Sequence, residues 1–202
     1  MVPRIISIIA IGACSQQSTW SGYEEGNAAP TGVILAEGSG VSPTLATITI
    51  KDLYFAECAG EINAANINLE LDLLYADEMT IPYGDWCLIE FTTDDPITLA
   101  GDTDAGGTWQ LELSLGSVRL ESETAVSIDG SPLVMQLGQT GWLDSNAIGS
   151  ASSDVLIDES HALHDVLAEQ LADGSQLYRD DGDGVLSDEE ESVGPIITGS
   201  LQ

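Results

Sequence analysis

Thr47-Ile48-Thr49-Ile50-Lys51-Asp52-Leu53-Tyr54-Phe55 is the stretch on which the fold class turns. Ile48 and Ile50 alternate with threonines, the period-two pattern of a half-buried strand. Leu53 and Phe55 alternate too, but in the opposite phase. One extra residue near Lys51-Asp52, a β-bulge, returns both pairs to a common inward face. Outward from this segment the same period recurs in Leu69, Leu71 and Leu73, in Leu111, Leu113 and Leu115, and in Leu133, Met135 and Leu137. A helix would scatter each of these sets around its circumference. A second phase change lies between Leu115 and Val118, across Gly116-Ser117, and reads as either a hairpin turn or another bulge. Turn residues punctuate the rest at Tyr83-Gly84-Asp85, Asp94-Asp95-Pro96, Gly106-Gly107 and Asp129-Gly130. The spacing predicts an all-β fold, an antiparallel β-sandwich of about seven or eight strands between Thr44 and Leu137, with one C-terminal α-helix.

That helix is expected over residues 160–173. Leu163, Val166, Leu167 and Leu171 fall at i, i+3, i+4 and i+8, a single apolar stripe. Asp158 or Ser160 can cap its start and Gly174 can end it. His161 and His164 sit three apart on it, beside Asp165, as a copper or zinc pair would need. Histidines on an exposed helix face are commoner than ligands. Trp86, Trp109 and Trp142 offer a sugar-stacking platform if exposed, and ordinary packing residues if not.

The charge is far from balanced: 34 acidic residues stand against 4 basic ones, a formal net charge of −30. A field of that sign repels nucleic acids and anionic lipid surfaces, and favours calcium and other hard cations. It is also the composition of a surface kept soluble in a salty habitat, where ions screen self-repulsion. No nucleophile elbow, phosphate loop or zinc-protease helix motif is present, so a non-enzymatic protein is expected.

The chain opens with Arg4 and an apolar run, Ile5-Ile6-Ser7-Ile8-Ile9-Ala10-Ile11. This is too short to span a bilayer, which takes roughly 20 residues, and it suits the apolar part of an export signal. The run ends in Ile11-Gly12-Ala13-Cys14, which resembles the lipobox of bacterial lipoproteins. The resemblance implies cleavage before Cys14 and a lipid on its thiol. Several acyl chains at about 0.8 kcal/mol per buried CH₂ would anchor the protein stably. Ser15, where an Asp commonly signals inner-membrane retention in that family, implies the outer membrane of the cell envelope.

Four regions follow: a signal peptide at 1–13, a lipidated tether at 14–43, the β-domain at 44–158, and the helix with an acidic loop and tail at 159–202. Val33-Ile34-Leu35 interrupts the polar tether as a candidate short strand, and Trp20 and Tyr23 read as stray aromatics near the anchor. Cys58 and Cys87 remain after Cys14 is assigned. In an exported domain two cysteines are expected to pair, the alternative being two buried thiols. The strand ending in Cys58, Leu71-Asp72-Leu73-Leu74, Gly84-Asp85-Trp86-Cys87 and the acidic C-terminal loop together resemble acidic envelope lipoproteins of marine bacteria. That resemblance implies no particular activity, and a protein or glycan ligand stays open.

The loop itself, Tyr178-Arg179-Asp180-Asp181-Gly182-Asp183-Gly184-Val185-Leu186-Ser187-Asp188-Glu189-Glu190, resembles the calcium loop of EF-hands and dockerin repeats. Aligned on Gly184 as the sixth position, the resemblance implies calcium held by Asp181, Asp183, the Val185 carbonyl, Ser187 and Glu190. The loop departs from the family at its first position, where Arg179 stands in place of Asp. Asp180 is the substitute that a register shift would supply. The exiting helix is expected to be nearly absent, because Gly194-Pro195 follows so soon.

Overall fold

The computed structural model describes residues 27–39, 42–103, 106–144, 148 and 154–201. The expected signal peptide, Cys14, Trp20, Tyr23 and much of the expected tether lie outside them. The strands are β1 (Ala28–Leu35), β2 (Leu45–Ala56), β3 (Asn63–Asp72), β4 (Glu78–Pro82), β5 (Gly84–Thr93) and β6 (Ile97–Asp102). They continue as β7 (Thr108–Leu113), β8 (Ser117–Ile128), β9 (Leu133–Leu137), β10 (Val155–Ile157), β11 (Gln176–Arg179) and β12 (Ile197–Leu201). Two helices, α1 (His164–Asp173) and α2 (Asp188–Val193), complete the described elements.

The sandwich expectation is corrected in its architecture. All 12 strands belong to one continuous, predominantly antiparallel sheet, in the order β10-β7-β6-β2-β5-β8-β12-β11-β9-β1-β4, with β3 on the other edge of β2. Two pairs, β1 with β9 and β10 with β7, are parallel. The sheet curls over one core to which β1, β4 and β9 contribute alongside β2, β5, β6 and β7. Strands β2 to β9 occupy the span where turn chemistry placed seven or eight. The other four come from stretches read as tether, inter-element loop or tail. In particular Val33 to Leu35 belong to an eight-residue strand that pairs with both β4 and β9. The folded body therefore extends into the stretch read as tether.

The bulge at Lys51 is present. The register of β2 shifts between Ile50 and Asp52 against both β3 and β5. Ile48, Ile50, Leu53 and Phe55 are consequently all buried. The other phase change is a bend rather than a reversal. Ile97 pairs with Leu113 and Thr92 with Ser117, so β7 and β8 run end to end along β6 and β5. Gly116, at φ +66°, makes the bend between them. Asp94-Asp95-Pro96 is likewise a bend, since β5 and β6 both run antiparallel to β2 along the same edge. Only Gly106-Gly107, among the predicted turns, closes a hairpin between neighbouring strands.

Helix α1 starts later than expected; of the expected stripe Leu167 and Leu171 are buried and Leu163 packs against the core just before it, and Val166 alone turns outward. His164, Leu167, Ala168, Leu171 and Ala172 point inward, while Val166 is 48% exposed. The reason is close approach. A Cβ on Gly199 of β12 would stand 2.7 Å from the Ala172 carbonyl oxygen and 2.9 Å from that of Ser175. Small residues on both sides let the helix end rest directly on the strand, and the Gly199 N–H donates to the Ser175 carbonyl at 2.7 Å. Asp158 caps nothing; it accepts from Ser160 N–H and Oγ in a turn before the helix.

Each Lys and Arg among the described residues is already matched with a carboxylate. Lys51 meets Asp94 at 2.8 Å, Arg119 meets Glu121 at 2.6 Å, and Arg179 meets Asp129 at 3.0 Å. The remaining carboxylates repel one another unopposed. Raising sodium chloride from 0.1 M to 1 M shortens the screening length from about 10 Å to about 3 Å. The melting temperature is expected to rise, by roughly 2–4 °C for each kcal/mol of repulsion relieved. A flat or falling melting temperature across that range would show that the charge exerts no strain on the fold.

Candidate metal centre

β11 ends at Arg179, and the chain then turns through the acidic loop into α2. Gly182 (φ +105°) and Gly184 (φ +76°) hold backbone conformations that side chains resist, which lets three aspartates fold back on the loop. Asp180 Oδ2 accepts from Gly184 N–H at 3.1 Å, Asp181 Oδ1 from Asp183 N–H at 3.3 Å, and Asp183 Oδ1 from Val185 N–H at 2.9 Å. Asp180, Asp181 and Asp183 each bring a carboxylate oxygen to within 4.8 Å of the others. Asp180 Oδ1 is buried and has no hydrogen-bond partner. Burial pushes the Asp180 carboxyl up from its ordinary range, and the nearby carboxylates of Glu190 and Asp183 add to this, against the Gly184 and Gly182 N–H groups.

The expected ligand set is brought together in part. Asp181 and Asp183 are in the cluster, and Asp180 is the third member. Arg179 does not enter the loop. Its Nη1 donates to Asp129 at 3.0 Å and its Nη2 to the Ser127 carbonyl at 2.5 Å, so it closes against the β8–β9 turn. Arg179, at the loop's expected first position, thus points away from the cluster, and Asp180 beside it takes part.

Ser187 and Glu190 form a capping box at the start of α2, where sequence predicted almost no helix. Glu190 Oε2 accepts from Ser187 N–H and Oγ, both at 2.8 Å, and Oε1 accepts from Asp181 N–H at 2.8 Å. Those hydrogen bonds, from Ser187 first, hold the Glu190 carboxyl below its usual range. Glu190 thus ties the helix to the aspartate loop. The four acids in the first turn of α2 complement its dipole. The capping signal, Ser with Glu three residues on, was readable in the sequence.

The loop is seated on the outer face of β1 and β9. Asp180 N–H donates to the Pro132 carbonyl at 3.1 Å. A Cβ on Gly32 would lie 3.6 Å from the Gly184 carbonyl oxygen, so the bare strand leaves room for the loop.

The other expected sites fare differently. Cys58 and Cys87 form a disulfide, with Cα atoms 4.8 Å apart. His164 is buried; its Nε2 accepts from Ser114 N–H at 3.2 Å and its Nδ1 lies 2.8 Å from Asp165 Oδ1. His161 Nδ1 accepts from Leu163 N–H at 3.2 Å. The histidines are thus engaged locally, and no third metal-binding side chain joins them among the described residues. Trp86, Trp109 and Trp142 are all buried, so they present no sugar-stacking platform. Trp86 donates to the Pro82 carbonyl and Trp142 to that of Ala36, each tying down a neighbouring segment.

Together these features define a predominantly antiparallel β-sheet protein whose surface carries an acidic cluster able to hold a metal ion. Among the described residues no helix is long and apolar enough to cross a membrane. No protein-family model matches the chain, and no curated protein or solved structure is significantly similar to it.

Proposed function

We propose that this is a non-enzymatic, lipid-anchored protein of the bacterial outer membrane, a β-sheet binding or structural module whose aspartate loop takes calcium. The observation that carries the metal reading is the convergence of Asp180, Asp181 and Asp183 around a buried carboxylate oxygen without a partner. A cation there would relieve like-charge crowding and satisfy that oxygen. The donors are all oxygen, which suits calcium and disfavours copper or zinc, whose sites draw on nitrogen and sulfur. Calcium also tolerates the irregular geometry of a short loop better than magnesium, which demands a near-ideal octahedron. Because the loop joins β11 to α2 and rests on β1 and β9, the ion's role is to pin the C-terminal segment to the sheet.

Thermal melting with calcium, magnesium, zinc and copper tests the metal. Calcium is expected to stabilise by about 1.4 kcal/mol when free ion exceeds the dissociation constant tenfold. The gain should vanish in Asp181→Asn and Asp183→Asn. Indifference to calcium, or an equal response in both variants, removes the reading. The anchor rests on the lipobox resemblance of Ile11 to Cys14. Mass spectrometry of the mature protein is expected to find acyl chains on Cys14 and none in Cys14→Ser, and an unmodified Cys14 in the wild-type chain overturns it.

A further inference from the structure

A cavity of about 700 Å³ lies between the outer face of β1 and β9, the chain following β3, and the acidic loop with α2. Its size is that of a small-molecule site, within the usual range of about 300–1,000 Å³. Gln136 of β9 lines it. That side chain is 7% exposed and its amide makes no hydrogen bond with any described residue. The amide is not sealed off from solvent, so it opens into the cavity with its hydrogen-bonding capacity available to a ligand. Among the described residues that line it, the charged side chains are Glu37, Asp188 and Glu191, with no Lys, Arg or His. Leu73 and Leu186 supply apolar wall, and none of the described lining residues is aromatic.

We propose that this cavity binds a small organic primary ammonium, with its N–H donors on the rim carboxylates and the Gln136 carbonyl oxygen, and its apolar body against Leu73 and Leu186. The charge follows from three carboxylates with no opposing cation. A primary ammonium follows from the acceptors: carboxylate and amide oxygens take N–H donors, whereas a quaternary ammonium is held by aromatic faces, and no described lining residue supplies one. The cavity adjoins the acidic loop through Gly184, Val185 and Leu186, but Asp180, Asp181 and Asp183 do not line it, so the two readings can fail separately.

The probe is hexylammonium, with hexanoate and hexanol as controls, titrated into the full 202-residue chain. The titration runs in 0.5 M sodium chloride, so that long-range attraction to the acidic surface is screened. Binding is followed calorimetrically and through the Gln136 side-chain amide resonances. Hexylammonium is expected to bind at one site and shift those resonances, while hexanoate does not bind. Affinity should fall about tenfold or more in Gln136→Leu, the loss of roughly 1.4 kcal/mol, and also fall in Glu191→Gln, which tests the site even if the first variant fails to fold. Asp181→Asn should bind the probe as the wild type does. The proposal is overturned if hexanol binds as tightly as hexylammonium, if the Gln136 amide resonances do not move, or if neither Gln136→Leu nor Glu191→Gln weakens binding.

Discussion

Replacing Trp109 by alanine is expected to lower the unfolding free energy by about 3–5 kcal/mol, the range for deleting a large buried aromatic side chain. Trp109 is 1% exposed and among the largest fully buried side chains in the protein. It sits opposite Gly101 in the β6–β7 hairpin, and its ring covers that glycine: a Cβ there would fall 2.7 Å from the Trp109 ring. Deletion therefore opens a cavity that neither strand can close without leaving the sheet. The indole N–H has no hydrogen-bond partner, so no acceptor is stranded by its removal and the loss is one of packing. Trp109→Phe, which keeps a ring over Gly101 and discards the orphan donor, should cost distinctly less. Urea denaturation at constant m-value measures both. A Trp109→Ala loss within about 0.5 kcal/mol, the norm for surface positions, would place the residue outside the core after all.

The second large effect concerns the disulfide. Cys58 and Cys87 are separated by 29 residues. Opening a loop of that length is expected to destabilise the protein by about 3–4 kcal/mol in the chain-entropy account, mainly through the unfolded chain. The folded sheet keeps the same neighbours, because Ala56 pairs with Leu88 just beside the bridge. The Cys58→Ala, Cys87→Ala chain should therefore retain its native circular dichroism while its urea midpoint drops. Reductant added to the wild type should reproduce the drop and leave the double variant unmoved. Equal midpoints with and without reductant would mean the bridge contributes nothing to stability.

Much of the local structure was legible in the residues. The bulge at Lys51 was recoverable because side chains alternate strictly along a strand, so a change of phase has few explanations. The strand count from β2 to β9 followed from turn chemistry, which is encoded within a few positions. The acidic loop was recognisable because glycines at positive φ and aspartates two apart carry their geometry with them. The capping box of α2 is equally local, but Gly194-Pro195 close behind it points to an almost absent helix, and six residues is what forms.

Other features are decided by partners far away along the chain. Whether a phase change at Gly116 is a reversal or a bend depends on which strand lies beside it, and β6 and β5 together make it a bend. Val33 enters the sheet through Met135, and Gly199 through Leu120. Val33-Ile34-Leu35 reads as a short strand on its own, but not its eight-residue length or its partners, and the stretch at Gly199 has too little alternation to announce a strand. Asp180 joins Asp181 and Asp183 in the acidic cluster, whereas Arg179 is held away from it by Asp129, 50 residues earlier. Trp86, Trp109 and Trp142 are buried by packing against segments distant in the chain, not because of what flanks them. Periodicity, turns and caps are short-range chemistry and can be read from one chain. Sheet order, burial and the membership of a site are settled by hydrogen bonds and packing between segments that only the folded chain brings together.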